Sequence, residues 1–133
     1  MVSWTAMTET EKAMATGLVE VRVRHLTALA VLDLGGDITS QAQEDLARAY
    51  DEAIKVDPSA ILLNFAAVSY INSTGIALLV GLLARARREH RRVLASGLTP
   101  HYVEIFQVTR LADFMDLFDD EEGAIHALSP AGA

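Results

Sequence analysis

Leu62-Leu63-Asn64-Phe65-Ala66-Ala67-Val68-Ser69-Tyr70-Ile71-Asn72-Ser73-Thr74-Gly75-Ile76-Ala77-Leu78-Leu79-Val80 is the stretch whose reading decides the fold. An apolar run of strand length is followed by polar residues suited to a turn and a helix cap, and then by apolar residues at helical spacing. That is the form of a strand leading directly into a helix. The strand is expected over residues 60–65 and the helix over residues 73–90, with the chain turning at Asn72-Ser73. Ser73 and Thr74 then stand at a helix N-terminus, where free backbone N–H groups and the positive end of the helix dipole face whatever approaches.

Upstream, Val19, Val21 and Val23 alternate with Glu20, Arg22 and Arg24, as in a half-buried strand. His25-Leu26-Thr27 is expected to turn the chain into a second, more apolar strand over residues 28–34, forming a hairpin that Gly35-Gly36 ends. Thr39 or Ser40 can cap the next helix, whose apolar face is Ala42, Leu46, Ala49, Tyr50, Ala53 and Ile54, and Pro58 stops it. In the helix after Ser73, the predicted buried stripe is Ile76, Leu79, Val80, Leu83 and Ala86. Leu78 and Leu82 are left on a more open flank, where they could support a weak homodimer.

Downstream, residues 92–96 read as a strand, and Thr99-Pro100 opens a helix that buries Val103, Phe106 and Ile105. Residues 114–118 read as a short edge strand or an extended connection. The acidic run Asp119-Asp120-Glu121-Glu122 starts a last helix that Ser129-Pro130 ends. A short helix is also expected before Gly17, from the capping spacing of Thr8 and Glu11. Strands alternating with helices imply an α/β fold with a largely parallel sheet, the opening hairpin making it mixed. The expected domain organisation is an N-terminal tail over residues 1–17, a single domain over residues 18–129 and a C-terminal tail over residues 130–133.

With 133 residues and 51% hydrophobic content, the chain has room for one core. It contains no cysteine, which removes disulfides, thiolate chemistry and Cys-based metal sites, and suits a reducing compartment. The expectation is a soluble, cytoplasmic protein. The start is not basic, and the apolar run over residues 75–84 is shorter than the roughly 20 residues a membrane span needs. A net charge of −7 argues against nucleic acid as a partner. The one dense basic cluster, Arg85, Arg87, Arg88, Arg91 and Arg92 with His90, falls where a helix ends, as dipole complementation would have it.

Enzymatic constellations are missing, and no catalytic residue, metal site or cofactor is expected. The four histidines fall in different elements without ligand spacing, and Gly35-Gly36-Asp37 lacks the lysine of a P-loop and the spacing of a dinucleotide fingerprint. A nucleophile elbow at Ser73 would need a glycine at Ile71. For Asn72-Ser73-Thr74-Gly75 two readings stand side by side. In one, Asn72 or Ser73 caps the helix and Gly75 permits close approach of a neighbour. In the other, the junction is a phosphorylation switch, since a phosphate there adds roughly −1.5 to −2 charge in the middle of a docking surface.

The chain resembles the STAS domain family, the bacterial anti-sigma-factor antagonists and their relatives. The resemblance runs over residues 18–128. It rests on the element order, on Leu34-Gly35-Gly36-Asp37-Ile38, on Leu63-Asn64-Phe65 continuing to Ile71-Asn72-Ser73-Thr74-Gly75-Ile76, and on Phe106-Gln107-Val108-Thr109-Arg110-Leu111. It implies a STAS-like fold with a mixed sheet of four to five strands and about four helices. It also implies an anti-sigma factor that is a serine kinase as partner, with Ser73 as the residue phosphorylated and a phosphatase restoring the unmodified form. The implied docking surface is the Gly36-Asp37-Ile38-Thr39 loop, Asn72, Ser73, Thr74 and Gly75, and the helix start at Ile76. Asn72 and Thr39 stand where the family often has aspartates, which removes carboxylates beside the acceptor and makes Thr74 a second candidate. Two alternatives remain: a STAS docking subunit of a larger signalling or transport assembly that is not phosphorylated, and a nucleotide or small-ligand sensor using the helix N-terminus as an anion site.

Overall fold

The computed structural model describes residues 19–128. The helix expected before Gly17, the Ser129-Pro130 stop and both tails lie outside the described residues. Five strands form one mixed sheet in the order β1-β2-β3-β4-β5: β1 Glu20–Leu26, β2 Leu29–Ile38, β3 Ala60–Ile71, β4 Arg92–Ser96 and β5 Asp116–Phe118. Among the described residues there are four α-helices: α1 Gln43–Ala53, α2 Ser73–Arg88, α3 Pro100–Val108 and α4 Glu121–Leu128. β1 and β2 are antiparallel and the other neighbours are parallel, so the expected mixed α/β architecture is the one present.

The central strands are buried on both faces, which is why they read as continuous apolar runs. Ala30, Leu32, Ile61, Leu63, Phe65, Val93 and Ala95 face one core with residues of α1, α2 and α3, while Leu29, Val31, Ala60, Leu62 and Leu94 face a smaller one closed by Ala124 of α4. Arg24 ties three elements together, bonding Asp33 of β2 at 2.5 and 2.9 Å and reaching Glu121 at the start of α4. Burial opposes the charge on Asp33, but the hydrogen bonds from Arg24 and Asn64 outweigh it and hold the carboxyl below its usual range. Tyr50 on α1 donates to Glu89 beyond α2 at 2.8 Å, with Arg85 over its ring, and burial together with that bond pushes its hydroxyl up to about 12.

Several boundaries differ from expectation. The first turn is Thr27-Ala28 rather than His25-Leu26-Thr27, since Leu26 pairs with Leu29 and Ala28 takes φ 61°. β2 does not end at Gly35-Gly36 but runs to Ile38, with Gly36 at φ 76° absorbing register shifts against β3. β3 does not end at Phe65 but continues to Ile71, and α2 ends at Arg88. Along α2 the flanks are exchanged: Leu82 is only 8% exposed and belongs to the core, whereas Val80 is 48% exposed. Leu78 is half-buried against the same core. The apolar flank on which a weak homodimer was expected is therefore largely covered. On α3, Phe106 is fully buried, and Val103 and Ile105 are only partly so.

Candidate functional site

Parallel pairing sets Asp37 of β2 opposite Tyr70 of β3, and Ile38 opposite Ile71. Both strands therefore end at one level, and the segments that follow them lie side by side at the carboxyl edge of the sheet, where open α/β sheets present their binding crevices. After β2, Thr39 caps a single 3-10 turn, Ser40–Ala42, accepting from the Gln41 N–H at 3.4 Å. After β3, Asn72 is extended (φ −94°, ψ −179°) and its side-chain oxygen accepts from the Gly75 N–H at 2.8 Å. Asn72 rather than Ser73 is thus the cap of α2. The two segments are stitched by the Asn72 N–H, which donates to the Ile38 carbonyl at 3.2 Å.

Gly75 completes the junction. A Cβ there would lie 2.0 Å from the Ile38 carbonyl oxygen, so only glycine lets α2 start this close to β2. The consequence for Ser73 follows from the same geometry. With the cap supplied by Asn72, Ser73 and Thr74 are both left exposed in the first turn of α2. No acidic side chain lies in that turn. Asn72 and Thr39 present neutral oxygens, each accepting from a backbone amide, and Asp37, half-buried on β2, supplies the carboxylate of the neighbouring segment.

Of the residues singled out from sequence, Ser73 and Thr74 are exposed, and Asp37, Thr39, Asn72 and Ile76 are half-buried. Gly36, Ile38 and Gly75 are buried, and Gly36, Asp37 and Ile38 are strand rather than loop. Their part is to build the edge. Sequence reading missed Tyr70, which is 50% exposed beside Asp37. The pairing of β3 with β4 ends at Asn64 opposite Ser96, so residues 66–71 extend past β4, and the Tyr102 hydroxyl of α3 holds the end by accepting from the Ile71 N–H at 2.9 Å. The available signal was the β-prone run Val68-Ser69-Tyr70-Ile71. Among the described residues no group of three His, Asp or Glu side chains could hold a metal ion, and no helix is long and apolar enough to cross a membrane.

The cap can be tested directly. Asn72→Ala is expected to lower stability by about 1 kcal/mol, and Asn72→Asp, which keeps the acceptor and adds a charge at the positive end of α2, to raise it by about 0.3–1 kcal/mol. Urea midpoints measure both.

A family model described as "Mlab, STAS domain" matches residues 21–118. No curated protein matches. Among solved structures, an anti-sigma factor antagonist from Mycobacterium paratuberculosis aligns with TM-score 0.70 at 18% identity, covering 82% of this chain and 92% of that one. The Bacillus cell fate determinant SpoIIAA in its phosphorylated form aligns with TM-score 0.65 at 23% identity, covering 83% of this chain and 100% of that one. A sulfate transporter family protein from Wolinella succinogenes aligns with TM-score 0.65 at 16% identity, covering 74% and 83%. At such identities these structures establish a shared fold, whereas the family model spans most of the chain, and this protein belongs to the STAS domain family.

Proposed function

We propose that this chain is an anti-sigma-factor antagonist, a non-enzymatic cytoplasmic regulator that binds an anti-sigma factor of serine-kinase type and is released when that kinase phosphorylates Ser73. The docking surface is the carboxyl edge of β2 and β3: Asp37, Thr39, Asn72, Ser73, Thr74 and Ile76. One observation carries the reading. The helix cap is made by Asn72, so Ser73, an exposed residue, can take a phosphate on its hydroxyl without costing the fold its cap. The positive end of α2 tolerates the roughly −1.5 to −2 charge gained, while a partner packed over Ser73 would meet a buried, uncompensated dianion. Thr74, equally exposed, is the second acceptor. A phosphatase would return the protein to its binding form. The likeness to antagonist structures, including one in phosphorylated form, supports the reading through the fold.

A second reading, a docking subunit that is never phosphorylated, draws on the absence of an acidic residue in the first turn of α2 and on the likeness to a sulfate transporter family protein. Partner affinity separates the two. Under the switch reading Ser73→Asp weakens binding to the cognate anti-sigma factor about 100-fold or more, in line with a charge buried unpaired at an interface, while Ser73→Ala binds as wild type and resists release by ATP. Calorimetry with the purified pair would measure this. Equal affinity of wild type and Ser73→Asp would leave the docking-subunit reading in its place.

A further inference from the structure

A second surface lies away from the Ser73 edge. Val80, Ala84 and Arg87 on α2 face Thr109, Arg110, Leu111 and Phe114 across a groove of about 260 Å³ floored by Leu83. It runs along two turns of the helix, about 10 Å. Its apolar walls are unusually open for such large side chains: Phe114 is 54% exposed and Val80 48% exposed. The rim is basic. The Arg87 guanidinium sits 5.4 Å from the Phe114 ring centroid. Past Arg87 and Phe114 the groove opens into a wider cleft of about 780 Å³ with His90, Arg91 and Arg92, whose Asp113 and Asp116 are engaged by Arg110 and Arg92.

The surface carries positive charge that the chain does not neutralise. Every other arginine among the described residues reaches a carboxylate, including Arg85, Arg91 and Arg92 of the same basic cluster. Arg87 and Arg88, neighbours in sequence and both exposed, have no carboxylate partner among the described residues. In a protein of net charge −7, the uncompensated Arg87 on the wall of an open apolar trough, followed in sequence by the equally uncompensated Arg88, makes a locally complementary surface for an acidic apolar ligand. A trough two turns long along a helix accepts apolar anchors at i, i+3 or i+4 and i+7. We propose that the groove between α2 and the α3–β5 corner docks an acidic amphipathic helix of a partner protein, its apolar face on Val80, Leu83 and Phe114 and its carboxylates on Arg87, with Arg88 adding positive charge on the outer side of α2. Docking there needs no phosphate at Ser73, so this surface and the Ser73 edge can fail independently.

The probe is a synthetic amphipathic peptide with leucines at those anchor spacings and glutamates on its flanks, titrated into the isotope-labelled full chain at low salt. Amide shifts are expected to cluster at Val80, Ala84, Arg87, Leu111 and Phe114, and affinity is expected to fall with salt. Phe114→Ala and the pair Arg87→Glu with Arg88→Glu should each weaken binding at least about tenfold. All three positions are exposed, and unchanged melting would show that the variants fold. Equal binding of a peptide with lysines replacing the glutamates, or shifts gathered at another surface, would overturn the proposal. So would association of the free chain into a dimer lost in Phe114→Ala, or binding to anionic phospholipid vesicles in place of the peptide.

Discussion

Gly75→Ala is expected to be among the most damaging single-methyl additions in the chain, costing about 3 kcal/mol or more and lowering the melting temperature by roughly 10 °C. The added Cβ would sit 2.0 Å from the Ile38 carbonyl oxygen and 2.8 Å from its carbon, and neither atom is the end of a flexible side chain. Ile38 is the last paired residue of β2, opposite Ile71, and its carbonyl already accepts from the Asn72 N–H. Relief therefore requires α2 to back away from β2, which breaks that hydrogen bond and separates Thr39 from Ser73. Loss of partner binding should accompany the loss of stability. Gly81→Ala, on the same helix with nothing within 4 Å of its added methyl, is the control and should stabilise by about 0.5–1 kcal/mol. Urea unfolding of the two variants checks both signs.

Phe106→Ala is expected to cost about 3–5 kcal/mol, enough to bring a domain of ordinary stability close to unfolding. The ring is fully buried and packs edge-on to Phe65, with centroids 5.7 Å apart. Phe65 is where β3 passes the end of β4 and begins its extension toward Asn72, paired there with β2 alone. Phe106 and Tyr102 lie on one face of α3, the first packing beneath the extension and the second bonding its end. Removing the ring should both destabilise the core and loosen the edge that carries Ser73. Phe114→Ala, half-exposed, should stay within about 0.5 kcal/mol of wild type. Thermal melts of the two alanine variants make the comparison.

The junction at Asn72-Ser73 was legible because its signals are local: an apolar run, a capping residue and a change of period within a few positions. What was not legible depends on tertiary context. Gly35-Gly36 has the composition of a strand end, yet the pair stays in β2 because β3 supplies partners through a bulge. Ala66-Ala67 looks too weak to prolong a strand, and only the pairing with Gly35 and the following Val68 to Ile71 carries β3 on. On α2 every residue from Ile76 to Ala84 is apolar or small, so periodicity could not decide between Val80 and Leu82, and packing against α1 did. At the site, Ser73 and Asn72 were readable from spacing, but the cap fell to Asn72 only through its bond to the Gly75 N–H in the folded chain. The nearness of Asp37 and Thr39 came only with the family resemblance, because parallel pairing joins residues more than 30 positions apart.

The most direct measurement is intact-mass spectrometry, with site mapping, of the protein incubated with ATP, magnesium and the candidate anti-sigma kinases of its own organism. The proposed switch predicts one added phosphate, mapped to Ser73, and loss of the complex as it accumulates. A stable complex with a candidate kinase and no phosphate on either Ser73 or Thr74 would contradict it.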